Sequence, residues 1–369
     1  MNRKIRVLIV DDSVVIRRLL SDVITADPQL EVAGYAANGK IALAMLDQVS
    51  PDIVTLDVEM PVMDGIETLK AIRIKRKKLP IIMFSTLTER GAEATIDCLA
   101  AGASDYVAKP ANVGSFSLSK ERICEALLPK IRVLCGSSPQ PALQILPKPA
   151  LLPPIKRNST LERIDVVVIG SSTGGPNALA ELLPALPVDF RVPVLVVQHM
   201  PAAFTHFLAQ RLNASSKLEV KEAVAGAIVE PGTVWIAPGD FHMVALREGT
   251  SIRLGTNKDN PENSCRPSVD VLFRSVAKAY NRGSVLAVIL TGMGQDGLRG
   301  CEQLADVGAH VIAQDEPTSV VWGMPGFVAK AGLANAVLPL SQLAPYIVRR
   351  VGFSGPDRTT ARIRPLGAS

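Results

Sequence analysis

Short runs of β-branched and other apolar residues, bounded by polar or glycine-bearing turns, recur along the chain. In the first third they fall at Ile5–Val10, Glu31–Ala36, Asp52–Val58, Pro80–Thr86 and Asp105–Lys109. Between them apolar positions return at helical spacing, near Val14–Ala26, Gly39–Val49, Gly65–Arg76 and Glu89–Ala101, and a last helical stretch runs from about Leu118 to Leu134. Strands alternating with helices of this length predict a doubly wound parallel sheet. In such a sheet polar chemistry gathers at the carboxyl ends of the strands, near the point where the strand order reverses.

The pattern changes and then returns. Between Ser137 and Thr160 stand Pro139, Pro141, Pro147, Pro149, Pro153 and Pro154, a density that forbids regular helix or central strand and predicts an extended tether. Leu143, Ile145, Leu146, Leu151 and Leu152 are too apolar for a fully solvated linker, so part of it is expected to pack on a domain. Val166–Ile169 is an unbroken β-branched run, as in a strand buried on both faces, and Pro176 with Asn177 then opens an Ala/Leu-rich helix to about Leu186. Val192–Gln198 reads as a strand and Ala202–Leu212 as a helix. From Ile228 to Leu254 short alternating runs (Thr233–Ala237, His242–Leu246, Ser251–Leu254), broken by Pro-Gly and Glu-Gly turns, predict an antiparallel excursion at the sheet edge. A helix over Ser268–Ala279, a strand over Val285–Leu290, a helix over Leu298–Val307, a strand over His310–Ala313 and a helix near Ser341–Val351 complete a second, mainly parallel sheet. The expected division is an α/β unit at 1–136, a linker at 137–160, a second α/β unit at 161–351 and a flexible basic tail at 352–369.

Composition narrows the class. The chain has 369 residues, 47% hydrophobic and 20% charged, enough for two separate cores, and its net charge of +5 is a weak signal for nucleic acid. The densest basic run, Arg73–Lys78, ends a predicted helix, where cations suit the macrodipole. Five cysteines (Cys98, Cys124, Cys135, Cys265, Cys301) show no metal or disulfide spacing, which suggests reduced thiols in a cytoplasmic protein. The apolar run at Val7–Val10 stops at Asp11, too short for a signal peptide, and no apolar stretch reaches the roughly 20 residues of a bilayer span, so direct membrane insertion is not expected.

The ends of the first five strands carry Asp11, Asp12, Asp57, Ser85 and Lys109. Three carboxylates at one edge repel unless a divalent cation lies among them, and oxygen-only ligands suit Mg²⁺. A lysine and a hydroxyl facing the same spot suit an incoming phosphoryl group. The competing reading makes Asp57 and Asp12 helix caps, as Asp64 before Gly65 also reads, but caps leave Lys109 before Pro110 unexplained.

In the second half, Gly170-x-Ser172-x-Gly174 lies between a buried strand and a helix, where a turn holds a serine hydroxyl above the sheet beside free N–H groups. A phosphate-cradling glycine loop and a plain tight turn are the alternatives; the first is weakened because the stretch fits neither common phosphate-loop spacing. A serine nucleophile needs a base, and the base an orienting carboxylate. Of the four histidines, His199 ends a buried strand on the same edge as Ser172. His310 begins its strand at the opposite edge, His206 is mid-helix and His242 lies in the antiparallel excursion. Asp296 follows the Val285–Leu290 strand at the same edge, with Asp315 as rival orienter. The chain order Ser172, His199, Asp296 differs from that of α/β-hydrolases. For His199 alone, a satisfied core histidine is the competing reading.

Residues 5 to about 135 resemble response-regulator receiver domains, on Val10-Asp11-Asp12-Ser13, Leu56-Asp57-Val58-Glu59-Met60-Pro61, Asp64-Gly65, Ser85-Thr86 and Ala108-Lys109-Pro110. The resemblance implies Asp57 as phosphoacceptor, Mg²⁺ held by Asp11, Asp12, Asp57 and the Glu59 carbonyl, Lys109 paired with the phosphoryl group, and Ser85 and Tyr106 as switch residues. Residues 164 to 350 are similar to the catalytic domain of chemotaxis protein-glutamate methylesterases, on Ile169-Gly-Ser-Ser-Thr-Gly-Gly-Pro176, Val197-Gln-His-Met-Pro201, Ala237-Pro-Gly-Asp-Phe-His-Met243, Arg266-Pro-Ser-Val-Asp-Val-Leu-Phe273 and Leu290-Thr-Gly-Met-Gly-Gln-Asp-Gly297. This likeness implies Ser172 as nucleophile, His199 as base, Asp296 as orienter, and backbone N–H groups of Thr173 and Met293 in the oxyanion hole. It implies hydrolysis of glutamyl γ-methyl esters on chemoreceptors, with glutamine deamidation by the same chemistry, no cofactor for the ester step, and a chemotaxis histidine kinase as phosphodonor. A monomer is expected, with the unphosphorylated receiver lying over the Ser172 edge. A response regulator with a DNA-binding output and a nucleotide-binding α/β domain are the rival readings. The first lacks a small, basic helical output domain, and the second lacks a standard phosphate loop.

Overall fold

The structure, a computed structural model, describes residues 3–110, 116–136 and 163–352. The expected linker lies outside the described residues, as does the expected tail beyond Gly352. In the first half β1 (Ile5–Val10), β2 (Leu30–Ala36), β3 (Ile53–Asp57), β4 (Ile81–Ser85) and β5 (Asp105–Ala108) alternate with α1 (Val14–Thr25), α2 (Gly39–Val49), α3 (Gly65–Lys75), α4 (Glu89–Ala100) and α5 (Phe116–Leu134). The strands form one parallel sheet in the order β2-β1-β3-β4-β5, so the order reverses between β1 and β3. Every residue of β3 and β4 is buried, as a strand covered by helices on both faces requires. The helix starts are chemically marked. Ser13, Asn38 and Thr88 cap α1, α2 and α4, and Asp64 with Glu67 closes a capping box on α3.

The second half contains β6 (Val166–Ser171), α6 (Gly175–Leu182), β7 (Val194–Gln198), α7 (Ala202–Ser215), β8 (Glu219–Glu222), β9 (Thr233–Ile236), β10 (His242–Glu248), β11 (Ser251–Asn257), α8 (Val269–Ala279), β12 (Val285–Ile289), α9 (Leu298–Asp306), β13 (His310–Gln314), α10 (Met324–Lys330), β14 (Ala336–Leu338) and α11 (Leu340–Gly352). Seven strands form a parallel sheet in the order β14-β13-β12-β6-β7-β9-β8, reversing between β6 and β12. Two doubly wound parallel α/β sheets are thus present, as the alternation of strands and helices predicts. The antiparallel excursion is smaller than expected. β10 and β11 form a separate hairpin, but β9 pairs in parallel with β7 and β8 inside the main sheet. The Pro-Gly turns flanking β9 imitate hairpin punctuation, while its own burial is that of a covered strand. Pattern reading also misses β8, whose Glu-Val-Lys-Glu lies on the sheet edge, and the short α10 and β14.

The two halves share one face. α4 packs on α6 and α7, and a continuous apolar layer joins Ile96, Leu99 and Tyr106 to Leu179, Phe204 and Leu208. The Tyr106 and Phe204 rings stand 4.7 Å apart, tilted by 33°, a pair worth about 0.5–1.5 kcal/mol beyond its buried area. Separate layers fill the opposite face of each sheet.

Candidate active site

Strand-order reversal brings the loop after β6 next to the loop after β12. Ser172 donates its amide to the Thr291 carbonyl at 3.1 Å, and the His199 amide donates to the Ser171 carbonyl at 3.0 Å. Ser172 and His199 therefore leave adjacent strand ends together. Gly174 (φ +78°) turns the chain into α6, a conformation that favours glycine. Gly292 is required by proximity, since a Cβ there would meet Ser172 Cβ at 2.9 Å and Met324 Sδ at 2.4 Å.

His199 Nε2 lies 2.7 Å from Asp296 Oδ2. Asp296 is 2% exposed and also accepts from the Val269 amide (2.7 Å), the Ser268 hydroxyl (2.8 Å), Asn263 Nδ2 (2.9 Å) and the Asp270 amide (3.1 Å). Burial favours the protonated carboxyl, but the His199 partnership and these donors outweigh it and hold Asp296 below the ordinary carboxylate range. For His199 burial pulls the other way, and the Asp296 bond with the neighbouring Cys265 leaves the imidazole above its usual value. Its second nitrogen, Nδ1, faces Cys265 Sγ at 3.5 Å, and among the described residues no hydrogen bond joins it to the half-buried Ser172 hydroxyl. Such contacts are commonly long before substrate arrives. The amides of Thr173 and Met293 donate to no group among the described residues, so both are available to an oxyanion.

The rival assignments find other partners. Asp315 accepts from the Thr318 amide and hydroxyl, closing a turn. His310 bonds the Tyr346 hydroxyl, His206 contacts Gln210 and His242 bridges Asn260 and Ser268. Sequence reasoning missed the braces. Gln198 Oε1 accepts from the Ser171 hydroxyl at 2.7 Å, and its Nε2 donates to the carbonyls of Ser172 (2.9 Å) and His199 (3.1 Å). Ser268, Asn263 and Asp270 hold Asp296 or its loop. Gln198, Ser268 and Asp270 lie inside the matched stretches, a signal that could have marked them.

At the other reversal point, Asp11, Asp12 and Asp57 offer oxygens within 4.8 Å of one another. Lys109 Nζ reaches Asp57 Oδ2 at 2.8 Å and Asp11 Oδ2 at 2.9 Å. Burial, then the Asp11 charge, push Asp57 up to about 6 against the opposing pull of Lys109 and the Glu59 amide. Lys109, which burial would lower, is raised by Asp57 and Asp11. Asp11 Oδ2 is buried and, although an ammonium stands beside it, holds no aligned hydrogen bond. An all-oxygen cluster of three carboxylates fits a hard divalent cation. Ser85 donates to the Gly91 carbonyl at 3.0 Å, and among the described residues no hydrogen bond joins it to Asp57; Tyr106 is buried against Phe204, with Lys130 Nζ 5.2 Å from its ring centre. From the far end of β5, Asp105 Oδ2 accepts from Thr173 Oγ1 at 2.8 Å and pairs with Lys130 Nζ at 2.7 Å, while Asn177 Nδ2 donates to the Ala103 carbonyl at 3.1 Å.

A carboxylate-and-lysine receiver sheet, docked on a parallel α/β domain with serine, histidine and aspartate at its reversal point, defines a response regulator with an α/β output domain. Two family models match, the response regulator receiver domain over residues 7–117 and CheB methylesterase over 167–347. The chain belongs to the CheB methylesterase family. It is 51% identical over 352 residues to a protein-glutamate methylesterase/protein-glutamine glutaminase of Trichodesmium erythraeum, covering 95% of this chain and 99% of that one. A relative of the same name from Nocardioides sp. is 52% identical over 361 residues, covering 97% and 98%. Among solved structures, the CheB methylesterase catalytic domain of Thermotoga maritima matches at 44% identity and a TM-score of 0.50, covering 50% of this chain and 98% of that one. Among the described residues no helix is long and apolar enough to cross a membrane.

Proposed function

We propose that this chain is a phosphorylation-controlled hydrolase that removes γ-methyl esters from glutamyl side chains of chemoreceptors, and deamidates glutamines there, with Ser172 as nucleophile. The units at 1–136 and 161–351 are its receiver and catalytic parts. It works in the cytoplasm as a monomer, takes phosphate from a chemotaxis histidine kinase, and has no nucleic-acid partner. The observation that carries the reading is the 2.7 Å contact of His199 with buried Asp296, on the strand end next to Ser172.

Because Asp296 occupies Nε2, Nδ1 of the neutral imidazole is the nitrogen that accepts the Ser172 proton. Ser172 Oγ attacks the ester carbonyl, and the developing oxyanion meets the amides of Thr173 and Met293, each such donor being worth roughly 10²–10³ in rate. His199 returns the proton to the leaving methoxide oxygen, released as methanol, or to the leaving amide nitrogen, released as ammonia. Water, deprotonated by the same nitrogen, then frees the glutamate and restores Ser172. This route asks for no cofactor. In the receiver, Asp11, Asp12, Asp57 and the Glu59 carbonyl would hold Mg²⁺, which when bound offsets the charge of an incoming phosphoryl group. Asp57 accepts that group, Lys109 pairs with it, and Ser85 and Tyr106 rearrange around it. The unphosphorylated receiver restrains the output domain through the Asp105–Thr173 and Ala103–Asn177 bonds. Methanol release from methylated receptor membranes tests the reading. Ser172→Ala is expected to lower the rate by at least about 10³-fold with the unfolding midpoint unchanged; a variant that keeps its activity overturns the assignment.

A further inference from the structure

We infer that Cys265 Sγ and His199 Nδ1 form a binding site for a thiophilic divalent cation, zinc being the tested case, whose occupation withdraws the base from catalysis. The inhibition rests on the hydrolytic reading; the binding does not. The two donor atoms stand 3.5 Å apart. A tetrahedral zinc with bonds of about 2.3 Å to sulfur and about 2.0–2.1 Å to nitrogen sets its donors about 3.6 Å apart, so the pair is already at the edge length of such a site.

Asp296 also lies near, since His199, Cys265 and Asp296 offer atoms within 4.8 Å of one another. Its oxygens are already engaged, however. Oδ2 takes His199 Nε2 and the Val269 amide, and Oδ1 takes Asn263, Ser268 and the Asp270 amide. Asp296 is therefore the outer carboxylate on the far nitrogen of a ligating histidine, the arrangement that fixes tautomer and ring direction in protein metal sites. Cys265 is equally well positioned. Its backbone exchanges two hydrogen bonds with Glu262, at 2.9 and 3.1 Å, and both Glu262 oxygens are gripped by Arg274. Asn263, in the same tight loop, is tied to Asp270 and Asp296. With Cys265 half-buried and the His199 side chain 12% exposed, water can complete the coordination. On binding, the thiol and the imidazolium each release a proton to solvent (the thiol alone where His199 is already neutral), sulfur and Nδ1 each donate an electron pair to the ion, and nothing is oxidised or reduced. The nitrogen that must receive the Ser172 proton is then engaged.

The test uses the full chain with Cys124→Ala and Cys135→Ala, which removes the other half-buried thiols, and excess Mg²⁺ to occupy the receiver carboxylates. Zinc is titrated and each activity normalised to the same protein's rate with chelator. Micromolar zinc is expected to inhibit reversibly, and adding Cys265→Ala is expected to raise the required zinc by at least about tenfold. Cobalt serves as the spectroscopic probe, and its thiolate-to-metal absorption should appear in the parent and vanish in Cys265→Ala. Equal zinc sensitivity in the two proteins, or no thiolate–cobalt band at saturating cobalt, overturns the inference. A cobalt band in a chain without esterase activity would instead overturn the hydrolytic reading and leave the metal site standing.

Discussion

Asp296 shows what a buried charge needs. Alone at 2% exposure it would be costly, yet five donors converge on it, so the ionised form is the stable one. The pH dependence follows from the shifts. Asp296 lies below its ordinary value, so its contribution to stability is present above about pH 4 and lost as pH falls through the lowered value. His199 lies above its ordinary value, so its contribution is full below about pH 6.5 and fades as pH rises through the raised one. The stability gap between the parent and Asp296→Asn should therefore be widest between about pH 4 and 6.5. Both tryptophans of the chain, Trp235 and Trp322, lie in the second half, so their fluorescence during chemical unfolding reads that gap. Gly292→Ala should lower the hydrolytic rate by about 10²-fold, since its Cβ would displace Ser172 and a misplacement of ~1 Å costs about that much; steady-state methanol release checks it. Ser172, His199 and Asp296 were legible as one cluster because each follows a buried strand pattern at the same sheet edge, Ser172 and Asp296 in glycine-bearing turns. The braces were not. Gln198 closes an apolar run and reads as part of it, and Cys265 reaches His199 only because a loop of far sequence separation folds back.

At the scale of elements, the alternation of buried strands and helices was readable because both faces of each sheet are covered, which erases polar positions from the strands. β9 was misplaced for the same local reason that made β10 and β11 clear: turn residues report a reversal of the chain, not the partner it returns to. The family resemblance implies the receiver over the Ser172 edge and Tyr106 as a switch residue, but the helices that make the contact, α4 on α6 and α7, and Phe204 as the partner of Tyr106 left no pattern of their own. That interface carries its own prediction. Asp105→Ala removes the acceptor of Thr173 Oγ1 and the partner of Lys130. It should raise methanol release by the unphosphorylated protein by about five- to tenfold, the range of a coupling of 1–1.4 kcal/mol. The same substitution should reduce the further gain on phosphorylation. An unchanged unphosphorylated rate would mean that this contact does not restrain the output.

Over the whole molecule, each sheet has one strand-order reversal and each reversal holds one cluster: three carboxylates and Lys109 in the first, Ser172, His199 and Asp296 in the second. Incubation with a small acyl phosphate and Mg²⁺ should raise esterase activity in the parent chain and leave Asp57→Asn at its resting rate. Chelating Mg²⁺ before the phosphodonor is added should abolish the rise, because the Asp11, Asp12 and Asp57 charges are then left uncompensated. Phosphoprotein content measured beside the rate separates failure to phosphorylate from failure to respond.

β5 has a geometric consequence of its own. Its four residues run from Asp105, which accepts from Thr173 beside Ser172, to Ala108, next to the Lys109 that pairs with Asp57. An extended strand stretches little, so this segment is a tie-rod of roughly 10 Å between its end residues at about 3.3 Å per residue. From Lys109 the backbone gives an unbroken covalent path along that axis to Asp105 and its bond with Thr173. One residue inserted into the rod would leave both ends chemically intact and mechanically disconnected.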